Sequence, residues 1–105
     1  MNIFVANFSY SVADGDLETE AMEAAPLIRD VDGLLEKTFL IDTQTKRCGG
    51  VYKFADRAAL DAYLASDFWA DVLATPEFSD FDLRIFDVME APSRVTNAIP
   101  TVVAA

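Results

Sequence analysis

The stretch Gly33-Leu34-Leu35-Glu36-Lys37-Thr38-Phe39-Leu40-Ile41-Asp42-Thr43-Gln44-Thr45-Lys46-Arg47-Cys48-Gly49-Gly50-Val51-Tyr52-Lys53-Phe54 reads as two strands joined by a polar turn. Strand alternation over 34–42 puts Lys37 on the same face as Leu35, Phe39 and Ile41. A lysine among strand apolars is costly to bury. In the second strand, about 49–55, the pair Gly49-Gly50 runs directly into Val51, Tyr52, Lys53 and Phe54. Glycine inside a strand leaves room for a ligand or another backbone. Together the two features predict a cavity on the sheet. Pairing Lys37 with Tyr52 places Gln44-Thr45 at the hairpin tip.

The flanking segments complete the pattern. Residues 2–10 alternate as a first strand, with Ile3 and Val5 on one face and Phe4, Ala6, Phe8 and Tyr10 on the other. After the turn at Ala13–Asp16, Leu17, Ala21, Ala24, Ala25 and Ile28 recur at helical spacing to about Asp30. Asp14 or Asp16 is placed to cap this helix, and Pro26 is expected to kink or split it. Asp56 opens a second helix on Ala59, Leu60, Tyr63 and Leu64; Ser66-Asp67 interrupts it before Phe68, Trp69, Val72 and Leu73. Thr75-Pro76 ends that turn, and a fourth strand is expected over about 81–89. In the tail Val95 and Ile99 are apolar enough to pack, and 101–105 should fray.

The order βαββαβ predicts a ferredoxin-like α+β fold, a four-stranded antiparallel sheet with both helices on one face, as one domain over 1–105. Its tail, 91–105, is expected to be partly extended or packed on a partner. Both faces of several strands are apolar, and Phe4, Phe8, Leu34, Leu40, Phe86 and Val88 cannot all lie under two helices. A second sheet packed on the first, from a homodimer, would cover the surplus.

Composition removes several function classes. Eighteen acids against eight bases give the 105-residue chain a net charge of −10, which opposes general nucleic-acid binding and adsorption on anionic membranes. No apolar run approaches a membrane span and no secretory signal is visible, so a cytoplasmic protein is expected. The single cysteine, Cys48, forms no internal disulfide and fits a reducing compartment. The absence of histidine excludes a Ser-His-Asp triad, a histidine base, histidine-ligated haem and almost all zinc sites. No loop has EF-hand spacing and no Walker or dinucleotide fingerprint occurs; no metal site is expected.

Lys37, the glycine-tyrosine segment Gly49-Gly50-Val51-Tyr52-Lys53-Phe54, the first helix around Ala25-Pro26-Leu27, the helix 58–64 and Phe86-Asp87-Val88 occur together at this spacing. In that combination the chain resembles the YdhR-like monooxygenases of the dimeric α+β barrel superfamily. Relatives tend to carry tryptophan where this chain has Glu36 and Phe39. The resemblance implies a homodimer whose sheets meet back to back, with a pocket in each subunit between sheet and helices. It further implies oxygenation of a small aromatic or polycyclic compound with no cofactor, neither metal nor flavin.

Against that background Lys37 can stabilise a phenolate or enolate, an anion able to give an electron to O₂. It can equally snorkel to solvent or pair with an acid such as Asp87. Tyr52 can donate a hydrogen bond to the same oxygen, or find a partner at a pocket edge. Lys37 and Tyr52 are the catalytic candidates. Asn7, Ser9, Phe39, Gly50, Tyr63 and Trp69 are the substrate-binding candidates, with core packing the competing role for Tyr63 and Trp69. Arg84 can clamp a carboxylate or form a salt bridge. Two other functions stay open: a non-catalytic small-molecule-binding or regulatory domain, and an isomerase or cyclase with Glu36 or Asp87 as base.

Overall fold

A computed structural model of the chain describes residues 1–99. Its elements are β1 (Asn2–Tyr10), α1 (Asp14–Arg29), β2 (Leu34–Asp42), β3 (Arg47–Phe54), α2 (Arg57–Leu64), α3 (Asp67–Ala74), β4 (Phe78–Asp87) and α4 (Glu90–Val95). The four strands lie in the order β2-β3-β1-β4, with every neighbouring pair antiparallel. This is the ferredoxin-like arrangement expected from the element order. Residues 101–105, expected to fray, lie outside the described residues. Among the described residues no helix is long and apolar enough to cross a membrane.

Strict alternation in the central strands makes the core. Phe4, Ala6, Phe8 and Tyr10 of β1 and Cys48, Tyr52 and Phe54 of β3 are buried beneath the helices. Ile28 of α1, Leu60 and Tyr63 of α2 and Trp69 of α3 close over them. Trp69 meets Phe4 edge-on, with ring centroids 5.3 Å apart and planes at 81°, a favoured aromatic geometry.

Several local expectations need correction. Of the apolar strand residues that cannot all lie under the helices, Phe4 and Phe8 belong to the helix-covered core and Phe86 to the outer face. Cross-strand register puts Ile3, Val5, Val51 and Phe86 there, with Phe86 52% exposed. Pro26 lies inside α1 without splitting it. Twelve helical residues precede it, and the apolar face of the helix is already fixed against the sheet. The residue capping α1 is Ala13, which offers no side-chain hydrogen bond. Asp14 instead accepts from the Tyr10 hydroxyl at 2.6 Å and from Lys46 at 2.7 Å. β4 begins at Phe78, because Phe78 and Phe81 pack their rings on Phe8. Asp56 and Ser66 do cap α2 and α3, accepting from the amides of Ala59 and Trp69. In the tail Ile99 is buried while Val95 is exposed.

Candidate active site

The helices shield β1 and β3 better than the edge strand β2. A cavity of about 420 Å³ remains between β2, β3, α1 and α3, within the size range of small-molecule sites. Leu17, Ala21, Ala24 and Ile28 of α1 form one wall, and Phe68, Trp69 and Val72 of α3 another. The sheet supplies Phe8, Lys37, Phe39, Ile41, Cys48, Gly49, Tyr52 and Phe78. Phe39 and Ile41 are 42% and 53% exposed, so the β2 side is the open one. The small side chains of Ala21 and Ala24 leave the space that a larger residue on α1 would fill.

Lys37 and Tyr52 are register partners across β2 and β3, as the hairpin reading expected. Gly50 lies opposite Phe39, two pairs along and on the same face. A Cβ on Gly50 would stand 2.5 Å from the Lys37 Cε. The missing side chain is therefore the bed on which the lysine stem lies. Gly49 has a separate reason to be glycine. Its φ is +146°, and a Cβ there would collide with the carbonyl oxygen of Ala6.

The Lys37 ammonium lies 3.9 Å from the Phe39 ring centroid and 4.5 Å from that of Tyr52. Ring faces attract a cation, but they replace water poorly. Burial accordingly holds the lysine pKa down to about 8, against an ordinary 10.5. Lys46 pairs with Asp14 and Lys53 with Glu36. Lys37 has no acid partner among the described residues.

Tyr52 is held neutral by burial first and by its Tyr63 neighbour second. The Tyr63 and Tyr52 hydroxyls share a hydrogen bond of 3.2 Å, and Tyr52 presents a neutral hydroxyl to the cavity. Burial likewise pushes the Cys48 thiol up to about 11, so it stays protonated.

The structure gathers Lys37, Tyr52, Phe39 and Trp69 at the cavity, with Gly50 beneath the lysine. Tyr63 is a buried core ring behind Tyr52 and does not line the cavity. Asn7 and Ser9 stand on the opposite face of the sheet. There the Arg47 guanidinium donates to the Asn7 side-chain oxygen at 2.8 Å and to the Ser9 hydroxyl at 2.9 Å. Strand parity already separated them from Phe8, and parity decides the face. Arg84 pairs with Asp82 at 3.0 Å on that outer face. Of the carboxylates considered as a base, Glu36 pairs with Lys53 and Asp87 accepts from Asn2 at 2.7 Å; neither lines the cavity. Residues the sequence reading missed are Phe8, Cys48 and Phe78 on the sheet and Glu18 and Glu20 on α1. The period of two running from Tyr52 through Gly50 would have found Cys48. Among the described residues no cluster of three or more His, Cys, Asp or Glu is placed to hold a metal ion.

The model of a family described as "Putative mono-oxygenase ydhR" matches residues 3–99. Solved structures share the fold at low identity. An antibiotic biosynthesis monooxygenase from Deinococcus radiodurans, itself assigned provisionally, superposes with a TM-score of 0.71 at 21% identity, covering 87% of this chain and 95% of that one. SnoaB, a cofactor-independent oxygenase from Streptomyces nogalater, gives 0.69 at 18% identity, with 86% and 94% covered. A protein of unknown function from Nitrosomonas europaea gives 0.72 at 18%, with 86% and 90% covered. Comparison with curated proteins gave no match.

Proposed function

This chain belongs to the ydhR mono-oxygenase family, and on that premise we propose that it is a cofactor-independent monooxygenase acting on a small aromatic or polycyclic compound. The observation that carries the reading is Lys37: an ammonium with no acid partner, held between aromatic rings in an apolar cavity. Such a group has one obvious complement, an anionic oxygen on a flat apolar ligand. With the Tyr52 hydroxyl as a second donor, it would lower the ligand's pKa and hold a phenolate or enolate at neutral pH. Electron transfer from that anion to O₂ begins the oxygenation. The aromatic walls stack the ring and keep water away. SnoaB, which shares the fold, is a cofactor-independent oxygenase, and that supports the reaction class.

The reading includes one ferredoxin-like domain over 1–105, working in the cytoplasm as a homodimer whose sheets meet back to back to close an α+β barrel. Ile3, Val5, Val51 and Phe86 on the outer face support that pairing.

Oxygen uptake with a panel of hydroxylated aromatics, metals chelated and no flavin added, tests the proposal. The wild type should consume O₂ with at least one phenol. Lys37→Met keeps the stem, removes the charge, and should lower kcat/KM by roughly 10²–10³-fold. Turnover that Lys37→Met matches in full would refute the role of Lys37. Tight phenolate binding with no uptake across the panel would favour a binding domain.

A further inference from the structure

Lys37 has a chemistry that its charge does not use. Among the chain's three lysines, Lys46 and Lys53 form ion pairs with Asp14 and Glu36. Lys37 alone projects into the cavity, and its stem is fixed across Gly50. We propose that Lys37 is also a nucleophilic amine, which captures an aromatic aldehyde or ketone in this cavity as an imine. The capture is independent of the anion reading, since one needs the free amine and the other the cation.

The step balances without an oxidant or reductant. The Nζ lone pair attacks the carbonyl carbon, and the carbonyl π pair moves to oxygen. A proton passes from nitrogen to that oxygen, giving a carbinolamine. Loss of water, with the nitrogen lone pair forming the C=N bond, gives the imine. Tyr52 presents a neutral hydroxyl at the cavity wall. It can therefore hydrogen-bond the carbonyl oxygen and help water leave.

Reactivity needs neutral amine near physiological pH, and burial supplies it. With a pKa of about 8 against an ordinary 10.5, Lys37 carries on the order of a hundredfold more neutral form at pH 7 than an exposed lysine. The titratable groups facing it are few. Cys48 and Tyr52 of β3 both stay protonated, as does Tyr63 behind them. Glu18 and Glu20 of α1 line the cavity without contacting the lysine. Among the walls, α3 contributes only Phe68, Trp69 and Val72. A competing thiol adduct is disfavoured because Cys48 is not a thiolate.

The test is reductive trapping. The full chain is incubated with naphthaldehyde and sodium cyanoborohydride between pH 6 and 9, and labelled peptides are mapped. Lys37 should label at least about tenfold faster than Lys46 or Lys53 at pH 7. Its labelling should saturate with aldehyde and rise through a midpoint near pH 8. Lys37→Arg keeps a positive charge but cannot deprotonate; it should lose the saturable label. Equal labelling of all the amines, or none at Lys37, would overturn the proposal. Naphtholate binding without Lys37 labelling would sink the imine while leaving the anion reading intact. Labelling of Lys37 without naphtholate binding would support the imine and sink the other.

Discussion

Lys37 costs the fold stability in order to sit where it does, and pH exposes that cost. Below about pH 8 both folded and unfolded chains hold the proton, and the folded state bears the full penalty of the buried charge. Between pH 8 and 10.5 the unfolded chain binds more protons, so the Lys37 contribution makes stability rise with pH. Lys37→Met should therefore stabilise the fold at pH 7 by about 1–3 kcal/mol. The gap from wild type should close as pH climbs through that window, as read by urea unfolding at several pH values. The two glycines separate in the same way. Gly49→Ala forces a Cβ onto the Ala6 carbonyl at an unfavourable φ and should cost roughly 2–4 kcal/mol. Gly50→Val meets first the flexible Lys37 stem, then the Thr38 carbonyl at 3.0 Å. It should cost about 1–3 kcal/mol and, more tellingly, displace the ammonium and weaken phenolate binding. Unchanged binding in Gly50→Val would show that the stem does not need its bed.

The helices act on the site through their ends. Ser66 accepts from the Trp69 amide at 3.2 Å and starts α3, the element that brings Phe68, Trp69 and Val72 to the cavity. Asp56 does the same for α2 at 2.8 Å, but α2 lies behind the site. Ser66→Ala and Asp56→Ala should each cost about 1 kcal/mol in thermal unfolding. Only Ser66→Ala should also weaken ligand binding, and equal effects on binding would contradict the assignment of walls. Along α1, Pro26 gives no backbone donor, and its apolar neighbours hold the helix together regardless. Pro26→Ala should raise stability by roughly 1–3 kcal/mol.

At the scale of the whole molecule, the proposed back-to-back pairing rests on the sheet's outer face. It carries Ile3, Val5, Val51 and Phe86 beside the Arg47–Asn7–Ser9 cluster, with the Phe86 ring half exposed. Light scattering at micromolar concentration should give twice the chain mass. Val51→Glu sets a charge in the middle of that face and should shift the mass to one chain, leaving the helical circular dichroism unchanged. A wild-type monomer would remove the back-to-back pairing.

Periodicity and turn chemistry carried a large part of the result into the sequence itself. Alternation over 2–10 and 34–42 set both strands to the residue, and a hairpin with Gln44-Thr45 at its tip pairs Lys37 with Tyr52, as the sheet does. Those features are local: past the register shift between Leu34 and Glu36, the face a β2 residue occupies follows from parity. Tertiary structure decided which face the helices would cover. Hence Phe4 and Phe8 joined the core, and Asn7 and Ser9 turned away from the cavity toward Arg47. Packing distances between α1, α3 and the sheet opened the 420 Å³ space, and no single segment encodes them. The state of Lys37 belongs to the same class. The sequence placed a lysine among apolar residues, but only the assembled fold could keep it out of every ion pair among the described residues and bring two rings to its ammonium, because desolvation is a property of all the neighbours at once.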